Sequence, residues 1–307
     1  MAGSSAHERT SHWHIWLKHK DSICPYLKDI RSVSPDLEFL ELVAESVHSY
    51  MFKVRLHGTI YALKLYAVPE AGWRNFSSLA WVEDVVLCSD PFIVEYRVYD
   101  ALIEWDLLGK VGPHCSGWLT ISNEQEQDLD KRFNLRHGYT TIDSALIAKL
   151  KGMGRRHWLG FRQAPQKQQD PVRGLLLEWI DGTSLDKAFV DEAGAACLRT
   201  QLRDLHSLDI VHADFYPRNV MVSRSGRPYI IDFSSARLWP CRGFGREKEG
   251  FLDYMECEKG ALEYYLFQLQ GLQRHQNVKL TEAKSDEEAY GGRVSSDVEV
   301  TKDQFQD

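Results

Sequence analysis

The chain has 307 residues, with 37 Lys and Arg against 44 Asp and Glu, and therefore a formal net charge of −7 at pH 7. With 43% hydrophobic residues it can bury a sizeable core, and at roughly 150 residues per domain its length suits two domains or one bilobed unit. The acidic balance argues against a nucleic-acid-binding protein. No apolar run approaches the roughly 20 residues of a membrane span. Six scattered cysteines without a C-x-x-C pattern indicate reduced thiols in a cytoplasmic protein, with the nucleus as the alternative.

Four regions are predicted along the chain, of which composition marks the two ends. These are an N-terminal extension (1–35), a small lobe (36–178) with an insertion at about 122–172, a helical lobe (179–274) and an acidic tail (275–307). The tail holds eight acidic and four basic residues, so it carries −4 of the total charge of −7. We expect it to be disordered, and it is a candidate site for a protein partner.

Apolar periodicity predicts the elements between the two ends. Three short, partly alternating runs, Leu37–Val43, Met51–Leu56 and Ile60–Leu65, are separated by turn signals and predict an antiparallel meander. After Asp90-Pro91, apolar residues recur at helical spacing as far as Leu102, which predicts a helix.

Further along the chain, two more elements are predicted. The apolar run from Gly174 to Ile180 predicts a buried strand, and Asp181-Gly182 stops it. Leu198, Leu202 and Leu205 form the apolar stripe of a helix that ends near Ser207.

The most informative stretch runs from His212 to Phe233. A polar loop, a short strand, a turn and a second strand follow one another, and the second strand ends on Asp232. Such a hairpin would bring Asn219 close to Asp232, with Asp214 just ahead of the same opening. Carboxylate and amide oxygens are the ligands that Mg²⁺ prefers, which predicts a cation site at this end of the hairpin.

The pattern H-x-D-x-x-x-x-N followed by an apolar residue and D-F resembles the catalytic and magnesium loops of the protein-kinase-like superfamily. More narrowly, the chain looks like fungal protein-kinase-like proteins related to the aminoglycoside phosphotransferase and choline kinase branch. The residues that carry this likeness are the loop with Pro217, the P-x-x-x-G-W run at Pro113–Trp118 and the G-L-L-L-E-W-I run at Gly174–Ile180.

The resemblance implies an α+β, bilobed protein-kinase-like fold, with a small antiparallel-sheet lobe and a reduced, mainly helical second lobe. It also implies an enzyme that transfers the γ-phosphoryl group of ATP to an acceptor hydroxyl with Mg²⁺. Asp214 would be the catalytic base, and Asn219 and Asp232 would hold Mg²⁺. Lys64 would position the phosphates, with Glu95 as its partner. The implied residues around the nucleotide are Met51, Ala62, Lys64, Glu178, Ile180 and Met221.

Several departures keep alternatives open. The expected phosphate-covering loop, Ala44–Ser49, contains no glycine, so the backbone has less freedom to approach phosphates. Tyr216 stands where protein Ser/Thr kinases carry a lysine, and the chain after Asp232 is short. The last two features favour a small molecule or an unusual protein as the acceptor of the phosphoryl group. The alternatives are a pseudokinase acting as a nucleotide-binding or interaction module, and a scaffold that recruits a partner through its tail.

Overall fold

The structure is a computed structural model that describes residues 12–46, 49–66, 86–133, 135, 171–240 and 248–269. The chain divides into two compact units, residues 1–262 and 263–307. Within the second unit, 263–269 are described, and they are helical. Residues 136–170 of the predicted insertion and the acidic tail lie outside the described residues. In the part of the chain that is described, no helix is long and apolar enough to cross a membrane.

The architecture is α+β. The helices are α1 (His12–Ile23), α2 (Pro91–Glu104), α3 (Asn123–Phe133), α4 (Glu192–Ser207) and α5 (249–269), with a helical turn at 86–89. The strands are β1 (Glu38–Glu45), β2 (Ser49–Leu56), β3 (Thr59–Tyr66), β4 (Cys115–Ile121), β5 (Val172–Glu178), β6 (Gly182–Ser184), β7 (Ile210–Val211), β8 (Val220–Ser223), β9 (Pro228–Ile230) and β10 (Arg237–Leu238). Short 3-10 helices span Arg31–Asp36, Pro217–Asn219 and Phe233–Ser235.

Five strands form an antiparallel sheet in the order β1-β2-β3-β5-β4. The predicted meander is confirmed as β1, β2 and β3. Alternate side chains of β2 point into one hydrophobic core, where Phe52 and Val54 are fully buried, because successive residues of a strand face opposite sides of the sheet. The core therefore lies on one face of the sheet.

Helix α2 begins where the Asp90-Pro91 signal predicts. The Asp90 carboxylate accepts hydrogen bonds from the backbone N–H groups of Phe92 (3.0 Å) and Ile93 (3.4 Å), so it caps the helix. The same carboxylate accepts from Arg173 on β5 at 3.0 Å, and both side chains are fully buried. This ion pair ties the start of α2 to the sheet.

The remaining elements pack around a second group of strands. Strands β6, β8 and β9 form a three-stranded sheet, and β7 pairs with β10. The predicted stripe on α4 is confirmed, since Leu198, Leu202 and Leu205 are all buried. Within the first unit, Phe251 and Met255 of α5 pack with Val211. This packing places α5 against the loop that follows β7.

Candidate functional site

A buried ion network joins β3, α2 and the end of the β8–β9 hairpin. The Lys64 ammonium donates to Glu95 Oε2 at 2.5 Å and to Asp232 Oδ1 at 2.6 Å. Tyr66 Oη donates to the same Glu95 oxygen at 2.6 Å, and Ser234 Oγ donates to Asp232 Oδ1 at 2.6 Å. Lys64 and Glu95 are 2% and 1% exposed, so their charges depend almost entirely on one another and on Asp232. The structure thus brings these three predicted site residues together.

Two carboxylates share one ammonium in this network, and their pKa values move apart. Burial raises the pKa of Glu95, and the Lys64 charge only partly offsets it. Burial alone would also raise the pKa of Asp232, but the Lys64 charge and the hydrogen bonds from Lys64 and Ser234 outweigh it, so this pKa is lowered. Although burial acts to lower the pKa of Lys64, the two carboxylates raise it, so the ammonium stays charged.

Asp214 lies in a different setting, on the polar loop before β8. Its two carboxylate oxygens accept from Arg218 Nη2 at 2.8 and 3.1 Å, and Asn219 Nδ2 donates to Oδ2 at 2.9 Å. The Arg218 guanidinium also stacks on the Tyr216 ring, 4.4 Å from its centroid. Both oxygens of Asp214 are thus bound by side chains of its own loop. The geometry therefore favours a loop-stabilising role for Asp214.

The hairpin brings Asn219 and Asp232 to the same end, as predicted. The backbone N–H of Ile231 donates to the carbonyl of Asn219 at 2.9 Å, so the two predicted metal ligands lie at adjacent backbone positions. Asp232 adopts a left-handed backbone conformation with φ 63°. Within the described residues, no group of three or more His, Cys, Asp or Glu side chains is arranged to hold a metal ion. Mg²⁺ as a ligand therefore stays a prediction.

The residues predicted around the nucleotide lie on three parts of the fold. In the sheet, Met51 on β2 is opposite Lys64 on β3, and Ala62 lies two residues before Lys64 on the same face. Glu178 ends β5, where its carboxylate accepts from the His114 backbone N–H at 3.1 Å. Ile180 lies two residues after Glu178, beyond the end of β5, and Met221 lies on β8. Met51, Ala62 and Lys64 thus share one face, and ATP as their ligand stays a prediction.

The predicted phosphate-covering loop is described at both ends, whereas Val47 and His48 lie outside the described residues. The Ser46 backbone N–H donates to the Ser49 carbonyl at 2.8 Å, and the two hydroxyl groups are 3.0 Å apart. These hydrogen bonds join the residue after β1 to the first residue of β2.

Glu258 on α5 is a central residue of this region that the sequence did not reveal. It is 6% exposed, and its carboxylate accepts from the backbone N–H groups of His212 (3.2 Å) and Ala213 (2.7 Å). It also lies 2.8 Å from His206 Nε2. Ala213 has a positive φ of 59°, and Glu258 holds this unusual conformation in place. No local pattern marks a glutamate more than 40 residues away as the partner of this loop.

Arg218 could have been found from the sequence. It stands four residues after Asp214, within reach of that carboxylate across a single turn of chain. His212 is fully buried, and its Nε2 lies 2.9 Å from the Ile231 carbonyl oxygen.

A separate groove of about 530 Å³ opens between the start of β1 and α3. Its lining includes four carboxylates and one guanidinium, from Asp36, Glu38, Glu124, Asp128 and Arg132. None of the predicted site residues contributes to it.

Taken together, the fold and the site define an α+β protein in which four of the predicted site residues are held by ion pairs within the chain, namely Lys64, Glu95, Asp214 and Asp232. A family model described as "Kinetochore Sim4 complex subunit FTA2" matches residues 18–237, and since this is more than half of the chain, the chain belongs to the FTA2 family. No curated protein matches the chain.

The family match corrects the resemblance drawn from the motifs. Assignment to the protein-kinase-like superfamily, and to its fungal branch, is wrong, and so is the function of an ATP- and Mg²⁺-dependent phosphotransferase with its pseudokinase alternative. The match gives no support to a nucleotide partner. The motif H-x-D-x-x-x-x-N with D-F misled because Asp214 and Asp232 occupy the expected positions, whereas the contacts around Asp214 suit an ion pair within the loop.

Proposed function

We propose that this protein is a structural subunit of a kinetochore protein complex, working in the nucleus and binding other protein subunits. The observation that carries the proposal is the family match over residues 18–237. The match favours a location in the nucleus over one in the cytoplasm. Reduced cysteines are compatible with both. A structural subunit needs a rigid body that presents surfaces to its partners, and it does not need a chemical step.

The ion networks support this proposal. Lys64 bonds two carboxylates at once, and Glu258 accepts hydrogen bonds from the loop backbone, so both stiffen the region where an enzyme would need reactive groups. The pairs hold the elements around them in one arrangement, although the second Glu95 oxygen, Oε1, has no hydrogen-bond partner among the described residues. The region therefore serves as a fixed junction between the sheet, α2 and the β8–β9 hairpin.

We further propose that the five-stranded sheet with α2 forms one lobe, and that the elements from β6 onwards within the first unit form a second. Lys64 on β3 and Asp232 after β9 would then join the two lobes. The residue boundaries given above for the extension, the two lobes and the tail remain predictions. ATP and Mg²⁺ as ligands of Lys64, Asn219 and Asp232 also stay predictions, which a thermal-shift titration with each ligand would test.

The decisive experiment is to tag the full chain at its native locus and to measure its enrichment at centromeric chromatin by immunoprecipitation. We expect enrichment there over chromosome arms, together with co-purification of other kinetochore subunits. A protein spread evenly over chromatin, or absent from it, would contradict the proposal.

A matched variant separates structure from chemistry. Asp214→Asn keeps the size of the side chain and removes the carboxylate charge, so a structural subunit should still be recruited to the level of the wild type. Loss of recruitment by a variant that folds normally would show that this carboxylate is needed for more than the stability of its loop.

A further inference from the structure

We infer that residues 12–30 form an N-terminal clamp that sets the position of α2 and thereby holds the Lys64–Glu95–Asp232 network together. The clamp consists of α1 and the extended segment that follows it. It contacts α2 on one side and the edge of the five-stranded sheet at β4 on the other. The inference rests on these contacts and is independent of the proposed kinetochore role.

The clamp contacts α2 along a single face of the helix. Trp16 is fully buried, and its ring meets Phe92 and Tyr96 edge to face, with centroid distances of 5.8 and 4.3 Å. Asp100, one turn beyond Tyr96, accepts from the backbone N–H groups of Tyr26 (2.8 Å) and Leu27 (2.7 Å). Phe92, Tyr96 and Asp100 are spaced four residues apart, so they line one side of the helix.

Polar contacts from α2 also fix the backbone of the clamp. Tyr96 Oη donates to the carbonyl oxygens of Cys24 at 3.3 Å and Leu27 at 3.1 Å. The segment after α1 is thus held to α2 by hydrogen bonds in both directions, because Asp100 accepts from it and Tyr96 donates to it. Each of these α2 side chains is buried.

A second face of α2 carries the ion network. Glu95 binds Lys64, and Tyr99, one turn later, packs edge to face on Phe233 at a centroid distance of 5.6 Å. Phe233 follows Asp232, the other partner of Lys64. The helix therefore lies between the clamp and the network, and a displacement away from the sheet would pull Glu95 from Lys64.

The far end of the clamp is fastened to the sheet. The Trp118 N–H donates to the Lys28 carbonyl, and the Ile30 N–H donates to the Trp118 carbonyl, both at 2.9 Å. Gly117 permits this approach, since it has a φ of 149° and a Cβ there would lie 2.5 Å from the Lys28 carbonyl oxygen. Because β4 pairs with β5 and β5 with β3, the clamp connects α2 to the sheet that carries Lys64.

Labelling of Lys64 tests the inference on the full chain. The Lys64 amine is 2% exposed, so an amine-reactive ester reacts with it only when the network opens, and mass spectrometry of the peptide measures that rate. We expect Trp16→Ala and Gly117→Ala each to raise the labelling rate of Lys64 about tenfold under native conditions. In these variants, the labelling rate of Lys64 should be the same in buffer and in a low concentration of urea, because local opening exposes little surface to the denaturant.

The matched control is Leu205→Ala on α4, a fully buried position that belongs to neither the clamp nor α2. It should lower the melting temperature as a clamp variant does but raise Lys64 labelling only through global unfolding, which increases steeply with urea. Equal labelling in the clamp variants and this control, at matched melting temperature, would overturn the inference. If Trp16→Ala fails to fold, Asp100→Asn replaces it, since it removes the charge while keeping the side-chain shape.

Discussion

Asp232 and Asp214 have nearly the same exposure and very different surroundings. Their side chains are 34% and 32% exposed, but the cation bound to Asp232 is Lys64, whose side chain is 3% exposed, and the cation bound to Asp214 is Arg218, whose side chain is 60% exposed. The burial of the partner, more than that of the carboxylate, therefore decides how strongly each pair is coupled to the fold.

This difference explains how one sequence motif can contain two unlike sites. At Asp232, loss of the cation would leave charge inside the protein, and desolvation of an unpaired charge costs several kcal/mol. At Asp214, water can take the place of the guanidinium, and exposed pairs contribute at most about 1 kcal/mol. The three predictions that follow test this contrast, beginning with the largest effect.

Lys64→Met should destabilise the protein by about 3–5 kcal/mol, because Glu95 would keep a buried carboxylate without its cation. Methionine roughly preserves the length and volume of the lysine stem, so the loss of charge dominates. Urea denaturation of the wild type and the variant gives the difference in unfolding free energy. A loss below about 1 kcal/mol would place Lys64 with the weakly coupled exposed pairs.

The double variant Lys64→Met/Glu95→Leu is its control. It removes both charges, and replacing a buried ion pair by apolar groups is often nearly neutral. We expect it to recover a large part of the stability lost in Lys64→Met. No recovery would mean that packing around the lysine stem, rather than the unpaired charge, caused the loss.

The pH dependence of stability tests Asp232 directly. Because its pKa is lowered in the folded state, its contribution is present above the ordinary aspartate pKa of about 3.9 and is lost as the pH falls towards the folded value. After a discount for its partial exposure to solvent, we expect about 1 kcal/mol. Asp232→Asn should therefore lose less stability than the wild type between pH 5 and pH 3, measured by urea midpoints.

Glu95 sharpens this test because its pKa shift has the opposite sign. Its raised pKa means that the folded state takes up a proton more readily than the unfolded state, so protonation of Glu95 favours folding. Glu95→Gln should remove that gain and make stability fall more steeply as the pH decreases. Identical pH profiles for Asp232→Asn, Glu95→Gln and the wild type would show that neither carboxylate is coupled to Lys64 as described.

Much of the fold could be predicted from local patterns. The meander of β1 to β3, the capped start of α2 and the stripe on α4 each follow from the period of apolar residues and from signals such as Asp90-Pro91. The contact of the N-terminal segment with β4 could not be predicted, because it is made by backbone groups of Lys28 and Trp118 that carry no sequence signal.

Some contacts of the candidate site could likewise be predicted from the sequence, and others could not. Spacing predicted that Asn219 would lie near Asp232, whereas the pairing of Lys64 with Glu95 was implied only by the resemblance to protein-kinase-like proteins. The spacing of four residues between Asp214 and Arg218 could have indicated their ion pair, but no spacing could show that Glu258 holds the loop backbone. That contact depends on how α5 packs against the loop after β7.

The smallest effect is expected for the exposed pair. Arg218→Ala should cost less than about 1 kcal/mol, because water replaces the guanidinium at a half-exposed position, and Asn219 still donates to Asp214. A double-mutant cycle with Asp214→Asn isolates the pair, and we expect a coupling of about 0.2–0.5 kcal/mol that weakens in 0.5 M salt. The stacking of Arg218 on Tyr216 is lost whenever Arg218 is replaced, with or without Asp214→Asn, so its contribution cancels in the cycle. A salt-independent coupling above about 2 kcal/mol would instead make Asp214 as strongly coupled to its cation as Asp232 is to Lys64, and the contrast between the two carboxylates would fail.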